Sequence, residues 1–210
     1  MTLEAVLDTS DDDEVFDDHL PRKMQIQSSV HFTPVSVARH AARLLAPHPG
    51  MRVLDVGAGP GKFCVIAASE VPECTFVGVE LRPHLVRVAR KLATRMSIAN
   101  ATFLDGDAFE LDWSEYDAFY FYNPFAEQLT GKTFALDSKM ELMPSKFIRY
   151  VTATRERLAR ARVGTRVVTY HSFGAPAPTG YELVETCPAG TDRLELWIRC
   201  ADPAAEVDSD

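Results

Sequence analysis

A glycine-rich turn between two apolar runs constrains this chain more than any other stretch. Residues 53–63 read VLDVGAGPGKF, with glycines at alternate positions two residues after Asp55. The apolar run before the glycines predicts a buried strand, and the run after them predicts a helix. Glycines lack Cβ, so the backbone there can turn sharply and approach a ligand closely. The stretch therefore predicts a strand–turn–helix unit that aims free helix N–H groups at a ligand.

Strand and helix patterns alternate through the rest of the chain. Strand patterns at 75–79, 102–104 and 116–122 are separated by amphipathic helix patterns, which predicts a parallel sheet with helices on both faces. Alternating runs at 181–186 and 193–200 predict an antiparallel strand pair at one edge. Together with strands near 52–56 and 165–171, they predict a single-domain α/β fold with a seven-stranded, mostly parallel sheet.

Composition divides the chain into three parts. Residues 1–30 are acidic and poor in apolar residues, which predicts a flexible arm, and residues 202–210 predict a polar tail. The folded domain is expected over residues 31–201. At its start, Thr33 and Pro34 suit the N-cap and the first position of a helix, and a later helix is expected from about 139 to 161.

Charge and cysteine content exclude some function classes. The net charge of −8 and the pI of about 5.3 argue against a nucleic-acid partner, because phosphate binding requires concentrated positive charge. The four cysteines lack the C-x-x-C spacing of metal or redox sites and are expected as buried thiols. No apolar run is long enough to span a membrane and no leader is recognisable, so a cytoplasmic location is expected. The oligomeric state stays open.

Three carboxylates are expected around one ligand site. Asp55, Glu80 and Asp107 lie at the carboxyl ends of successive predicted strands, where open parallel sheets bind their ligands. Glu80 is placed to accept hydrogen bonds from a ribose, and Asp107 from an adenine amine. Asp55 would repel a phosphate and attract an ammonium group, which disfavours a nicotinamide or nucleotide-sugar enzyme.

These motifs resemble those of the class I S-adenosylmethionine-dependent methyltransferases, which have a Rossmann-like sheet. Residues 53–63 resemble the first motif, 77–80 the acidic second, 106–108 the third and 122–125 the fourth, in the family's order. The resemblance covers roughly residues 31–200. It implies S-adenosyl-L-methionine as the cofactor and methyl transfer without a metal.

The resemblance also implies which residues bind the cofactor. Asp55 and the glycines would hold the methionine end, with Thr33 beside it, Glu80 the ribose, and Asp107 with Ala108 the adenine. The full set is Thr33, Asp55, Gly57, Ala58, Gly59, Gly61, Glu80, Leu81, Asp107, Ala108 and Asn123.

The loop after the fourth strand is expected to hold the methyl acceptor. Asn123, Pro124 and Phe125 resemble the Asn-Pro-Pro-aromatic motif of amino-methylating members, with one proline missing. In those relatives the asparagine and proline oxygens accept hydrogen bonds from the target nitrogen, and the aromatic ring stacks on a planar substrate. The acceptor is therefore expected to be a nitrogen of a protein side chain or of a small amine. Two alternatives stay open: an O-methyltransferase of a small molecule, or a non-catalytic module that binds S-adenosylmethionine or a partner.

Three further side chains near the predicted cleft stay open to several interpretations. His171 is interpreted as a base, a substrate contact or a structural residue. Glu127 and Asp137 lie in the long loop, where they suit either a cationic substrate or solvent. The arm before Thr33 and the loop 123–138 are the two candidate lids.

Overall fold

A seven-stranded sheet forms the centre of the described chain. The computed structural model describes residues 11–130, 136–137, 141–190 and 192–200. The strands run in the spatial order β3-β2-β1-β4-β5-β7-β6. Their bounds are β1 Arg52–Val56, β2 Thr75–Glu80, β3 Ala101–Asp105, β4 Ala118–Tyr122, β5 Arg166–Tyr170, β6 Tyr181–Ala189 and β7 Asp192–Arg199.

The strand directions confirm the predicted fold class. The pairs from β3 to β5 are parallel, whereas β7 is antiparallel to both β5 and β6. The chain leaves β1 toward β2 on one side and returns through β4 on the other. Strand order therefore reverses between β1 and β4, and a crevice opens beyond their carboxyl ends.

Helices cover both faces of the sheet. Their bounds are α1 Asp11–Asp17, α2 Arg22–His31, α3 Val35–Leu45, α4 Lys62–Glu70, α5 Pro83–Arg95, α6 Glu127–Thr130 and α7 Pro144–Ala159. Buried side chains of α3, α4 and α5 form one core with one face of the sheet, and α7 packs on the other. Val53 points into the first core and Leu54 into the second, because successive strand residues alternate faces. None of the described helices combines the length and the apolar character that a membrane crossing requires.

The acidic arm differs from the flexible segment that its composition predicts. Residues 11–31 form α1 and α2, and Phe16 and Leu20 are buried in the first core. The ammonium group of Lys62 lies 2.5 Å from Asp13 Oδ1 and 2.8 Å from Asp17 Oδ1. The carboxylates that suggested a solvated arm thus have a buried partner in the domain. Residues 1–10 and the predicted tail 202–210 lie outside the described residues.

Two helix starts also differ from the prediction. The prediction of Thr33 as an N-cap is wrong: α3 begins at Val35, and its cap position is Pro34, without a side-chain bond. The Val35 N–H instead donates to Asp13 Oδ1 at 3.1 Å, so a carboxylate from α1 satisfies this helix end. The helix expected from about 139 begins at Pro144, where the missing proline N–H is tolerated.

Candidate active site

A cavity lies in the crevice beyond β1 and β4. Its volume is about 470 Å³, and it is enclosed by the β1–α4 turn, the end of α2 and the loop after β4. Such a volume lies in the ordinary range of small-molecule sites. Eight of the residues predicted for the site line it: Thr33, Asp55, Gly57, Ala58, Gly59, Glu80, Asn123 and Pro124.

A smaller cavity adjoins the first. Its volume is about 60 Å³, and Gly57, Glu80 and Pro124 line both cavities. The predicted residues Leu81, Asp107, Ala108 and Phe125 line only the smaller one. Asp107 also accepts a hydrogen bond from the Phe109 N–H at 3.0 Å, so it stabilises the turn that follows β3.

Gly61 lies away from both cavities and serves packing. A Cβ at this position would lie 2.7 Å from the Ala89 Cβ and 2.7 Å from the Phe103 ring. Its φ of +83° also favours glycine. The resemblance gave Gly61 a cofactor role, whereas its surroundings require a glycine between α5 and β3.

Four backbone amides of the glycine turn, before the first turn of α4, are bonded inside the protein. The N–H groups of Gly57 and Ala58 both donate to the Val79 carbonyl at 3.0 Å, and the Gly61 N–H donates to the Ala58 carbonyl. The Gly59 N–H donates to Glu80 Oε2 at 3.1 Å. These four amides are therefore used inside the protein, and the turn offers close approach rather than an amide cradle for a phosphate.

Asp55 is a buried carboxyl group in the wall of the larger cavity. It is 4% exposed, and the Cys64 thiol donates a hydrogen bond to its Oδ2 at 3.4 Å. Burial raises the pKa of Asp55 to about 7, with the thiol opposing and Glu80 adding to the rise. Because a weak donor is its only such partner among the described residues, the carboxylate is suited to bind a cation.

Glu80 joins the glycine turn to an arginine that the sequence reading missed. Besides the Gly59 N–H, its carboxylate accepts the Arg82 N–H at 2.9 Å. Burial raises the pKa of Glu80, and the Arg82 guanidinium opposes that rise. Arg82 also pairs with Glu127 and lies 3.6 Å from Asp137 Oδ2, so both loop carboxylates face this arginine. Glu127 and Asp137 reach Arg82 only because the loop after β4 folds back toward β2. Their distance along the sequence did not predict this contact.

Thr33 lies at the wall of the larger cavity, where it is hydrogen-bonded to a buried tyrosine. Thr33 Oγ1 and the Tyr120 hydroxyl share a hydrogen bond of 2.9 Å, and both residues line the cavity. The Phe63 ring stacks on Tyr120 with centroids 3.7 Å apart. Tyr120 was not among the predicted site residues, but the alternation of side chains along β4 puts it on the same face as Tyr122.

The loop after β4 is held between two neighbours. The Asn123 N–H donates to the Ser172 carbonyl at 3.0 Å, and a Cβ on Gly57 would lie 3.1 Å from the Pro124 Cβ. Phe125 does not face the larger cavity. It lines the smaller cavity and its ring packs against Phe109 and Tyr150, so stacking of this ring on the acceptor stays a prediction.

A protein family described as a methyltransferase domain matches residues 47–135. The release factor glutamine methyltransferase of Escherichia coli strain K12 is 33% identical over 92 residues, which are 44% of this chain and 32% of that protein. The 23S rRNA (uracil(1939)-C(5))-methyltransferase RlmD of a Shewanella species (strain ANA-3) is 36% identical over 84 residues, or 40% and 18% of the two chains. This chain thus spans a third or less of either curated relative.

A solved structure covers more of the chain. The RNA methyltransferase from Salinibacter ruber, in complex with S-adenosyl-L-homocysteine, has a TM-score of 0.56 and 25% identity. The match covers 84% of this chain and 99% of that one. The predicted absence of a nucleic-acid partner is not supported, because similar proteins include RNA methyltransferases.

Proposed function

We propose that this chain, whose fold and family match are those of the class I S-adenosylmethionine-dependent methyltransferases, methylates a nitrogen of a protein side chain or small amine. The single observation that carries the proposal is the convergence of Asp55, Glu80 and Asn123 on one cavity. They come from the ends of β1, β2 and β4, so a cofactor side and an acceptor side share the same space.

The residues fit S-adenosyl-L-methionine. The buried Asp55 carboxyl would gain a cationic partner in the ammonium or sulfonium group, which compensates for its lost hydration. Glu80 keeps acceptor capacity for ribose hydroxyls beyond its two backbone partners. Asp107 and Ala108 in the smaller cavity suit the adenine. The occupied amides of the glycine turn disfavour a pyrophosphate, which would require them as donors.

The cofactor supplies an activated methyl group on a sulfonium, so the chain contributes mainly position. The Asn123 amide oxygen would accept a hydrogen bond from the acceptor nitrogen, and the Pro124 carbonyl a second one. Holding the nucleophile in line with the methyl carbon provides much of the rate enhancement. Asn123 has a φ of +43°, a conformation that the surrounding contacts must maintain.

RNA is the second candidate acceptor. It is favoured by the Salinibacter ruber RNA methyltransferase, nearly all of which this chain covers. The protein or amine acceptor is preferred because the net charge of −8 opposes binding to a phosphate backbone. O-methylation of a small molecule and a non-catalytic role stay alternatives, and the absence of any transfer would favour the non-catalytic role.

The test uses Asn123→Gly, because glycine tolerates the positive φ while removing the side-chain amide. We expect transfer of labelled methyl groups to desalted cell extract to fall by about 100-fold or more. Affinity for S-adenosylhomocysteine, measured by calorimetry, should stay within a few-fold of the unaltered chain. Lys23→Ala, at an exposed position of α2, is the control and should retain activity.

Treatment of the labelled products with protease or ribonuclease identifies the acceptor class. Label that ribonuclease releases favours the RNA candidate over a protein. Full activity of Asn123→Gly would refute the assignment of the acceptor loop.

A further inference from the structure

We infer that His171 is the general base of this methyl transfer, and that the acceptor is a protonated amine. The inference rests on the proposed function and deepens it, because it names the chemical class of the acceptor. It is carried by the position of His171, by the backbone around it and by a carboxylate beside its ring.

His171 and Asn123 occupy equivalent places on neighbouring strands. Tyr122 and Tyr170 are paired in the parallel register of β4 and β5, so the residues that follow them lie side by side. Both Asn123 and His171 line the larger cavity. The side chain expected to orient the acceptor nitrogen thus has an imidazole next to it.

The backbone is strained at this place. Four non-glycine residues of the described chain have positive φ, and three of them are Asn123, His171 and Ser172. The Asn123 N–H donates to the Ser172 carbonyl at 3.0 Å, which joins the two strained segments. Each such residue costs about 1–3 kcal/mol, and such costs concentrate at functional sites. A purely structural histidine at a strand end would not require this conformation.

A carboxylate orients the imidazole. His171 Nδ1 lies 2.8 Å from Asp192 Oδ2, at the start of β7. This contact favours the proton on Nδ1 and leaves Nε2 as the acceptor. No hydrogen bond to Nε2 occurs among the described residues. The Tyr122 and Tyr170 rings lie with centroids 5.5 and 4.4 Å from the imidazole and hold it in place. This is the arrangement of a base with an orienting carboxylate.

An amine needs such a base, because its protonated form has no lone pair. The acceptor nitrogen gives one proton to His171 Nε2 and its lone pair forms the new N–C bond. The C–S bond breaks with its electron pair left on sulfur, so the products are an N-methylammonium group, protonated His171 and neutral S-adenosylhomocysteine. The His171 side chain is 28% exposed, so the proton can leave from Nε2 to solvent. An amide carries no such proton before attack and needs only the oxygens of the acceptor loop.

Two tyrosines and one carboxylate of the described residues lie next to the His171 imidazole. Burial raises the pKa of Tyr122 to about 12, and burial together with Asp192 raises the pKa of Tyr170. Both tyrosines therefore stay neutral between pH 6 and 9. Asp192 from β7 is the charged group in contact with the imidazole, and Asp13 from α1 acts on the neighbouring Tyr170.

The test is His171→Gly, which suits the φ of +57° and leaves space for free imidazole. The probe is labelled S-adenosylmethionine with ribonuclease-treated extract protein. We expect transfer to fall by about 100-fold to 10,000-fold and to recover at least about tenfold with added imidazole. Affinity for S-adenosylhomocysteine should change by less than about threefold. His40→Gln, in a surface pair with Glu185 at 3.1 Å, is the matched control and should stay active.

Acid hydrolysis of the product separates the acceptor classes. Label that remains on an amino acid as a methylamine supports the inference, whereas label released as free methylamine indicates an amide and overturns it. Unchanged activity of His171→Gly, or a loss without imidazole rescue, overturns the role of His171 alone. Absence of transfer by the unaltered chain overturns the proposed function and this inference together.

Discussion

Lys62 connects the amino-terminal helices to the glycine turn, and its removal gives the sharpest prediction. Its side chain is 2% exposed and its ammonium group binds Asp13, Asp17 and, at 3.0 Å, Ser28 Oγ. The substitution Lys62→Met keeps the length of the side chain and removes the charge. Because His31 and Phe32 at the end of α2 line the larger cavity, a loosened arm should also speed cofactor release.

The magnitude follows from burial. Breaking a buried ion pair by removing one partner costs about 3–5 kcal/mol, because the remaining charge loses its compensation. The Asp13 and Asp17 side chains are 19% and 14% exposed, so they regain some hydration once the arm loosens. We therefore expect the low end, about 3 kcal/mol. In a chain of this size that lowers Tm by roughly 6–12 °C, at about 2–4 °C per kcal/mol.

Arg39→Met is the matched control. Arg39 of α3 pairs at 2.6 Å with Asp12, which belongs to α1 like Asp13 and Asp17, but the two side chains are 48% and 62% exposed. Such a surface pair contributes about 0–1 kcal/mol. Thermal unfolding measures the loss, and amide hydrogen exchange of residues 11–31 locates it. Equal and small effects of the two substitutions would refute the reasoning, as would unchanged exchange in the arm.

Two further predictions concern the glycine turn. Since the folded-state pKa of Asp55 is raised to about 7 from 3.8, its protonated form contributes stability below about pH 4, and that contribution disappears as pH rises through 7. Asp55→Asn should remove this pH dependence from urea unfolding, and cofactor affinity of the unaltered chain should rise toward pH 7. Gly61→Ala should destabilise by more than about 2 kcal/mol, because strain adds to a clash. Gly164→Ala has a similar φ of +87° and open space, so about 1 kcal/mol is expected in the same denaturation experiment.

The sheet was predictable because its strands carry their own signal. The apolar run before Asp55, and the alternation along β6 and β7, depend on local sequence alone. The acidic arm was not predictable in the same way. Asp13 and Asp17 are solvated by every local criterion, and their partner Lys62 lies 45 to 49 residues away. The available signal was Lys62 itself, because a lysine between a glycine and a buried apolar run requires carboxylate partners from another segment.

The candidate site shows the same division. The motif positions predicted which residues lie at the cavity wall. Which of their atoms face the cavity and which bond inside the protein depends on packing. Phe125 turned away from the cavity because Phe109 and Tyr150 offer a stacking partner on the other side. Arg82 was missed because two of its three carboxylate partners, Glu127 and Asp137, come from a loop that returns to β2 only in the folded chain.

The glycine turn therefore also positions the loop after β4. Its amides are already bonded inside the protein, so the absence of side chains matters most where another segment approaches. At Gly57 that segment is Pro124, and a methyl group there would meet it at 3.1 Å. Asn123 is held from the opposite side by the Ser172 carbonyl. The loop after β4 is thus held between the end of β5 and the turn after β1. A substitution that changes either contact should displace the Asn123 side chain.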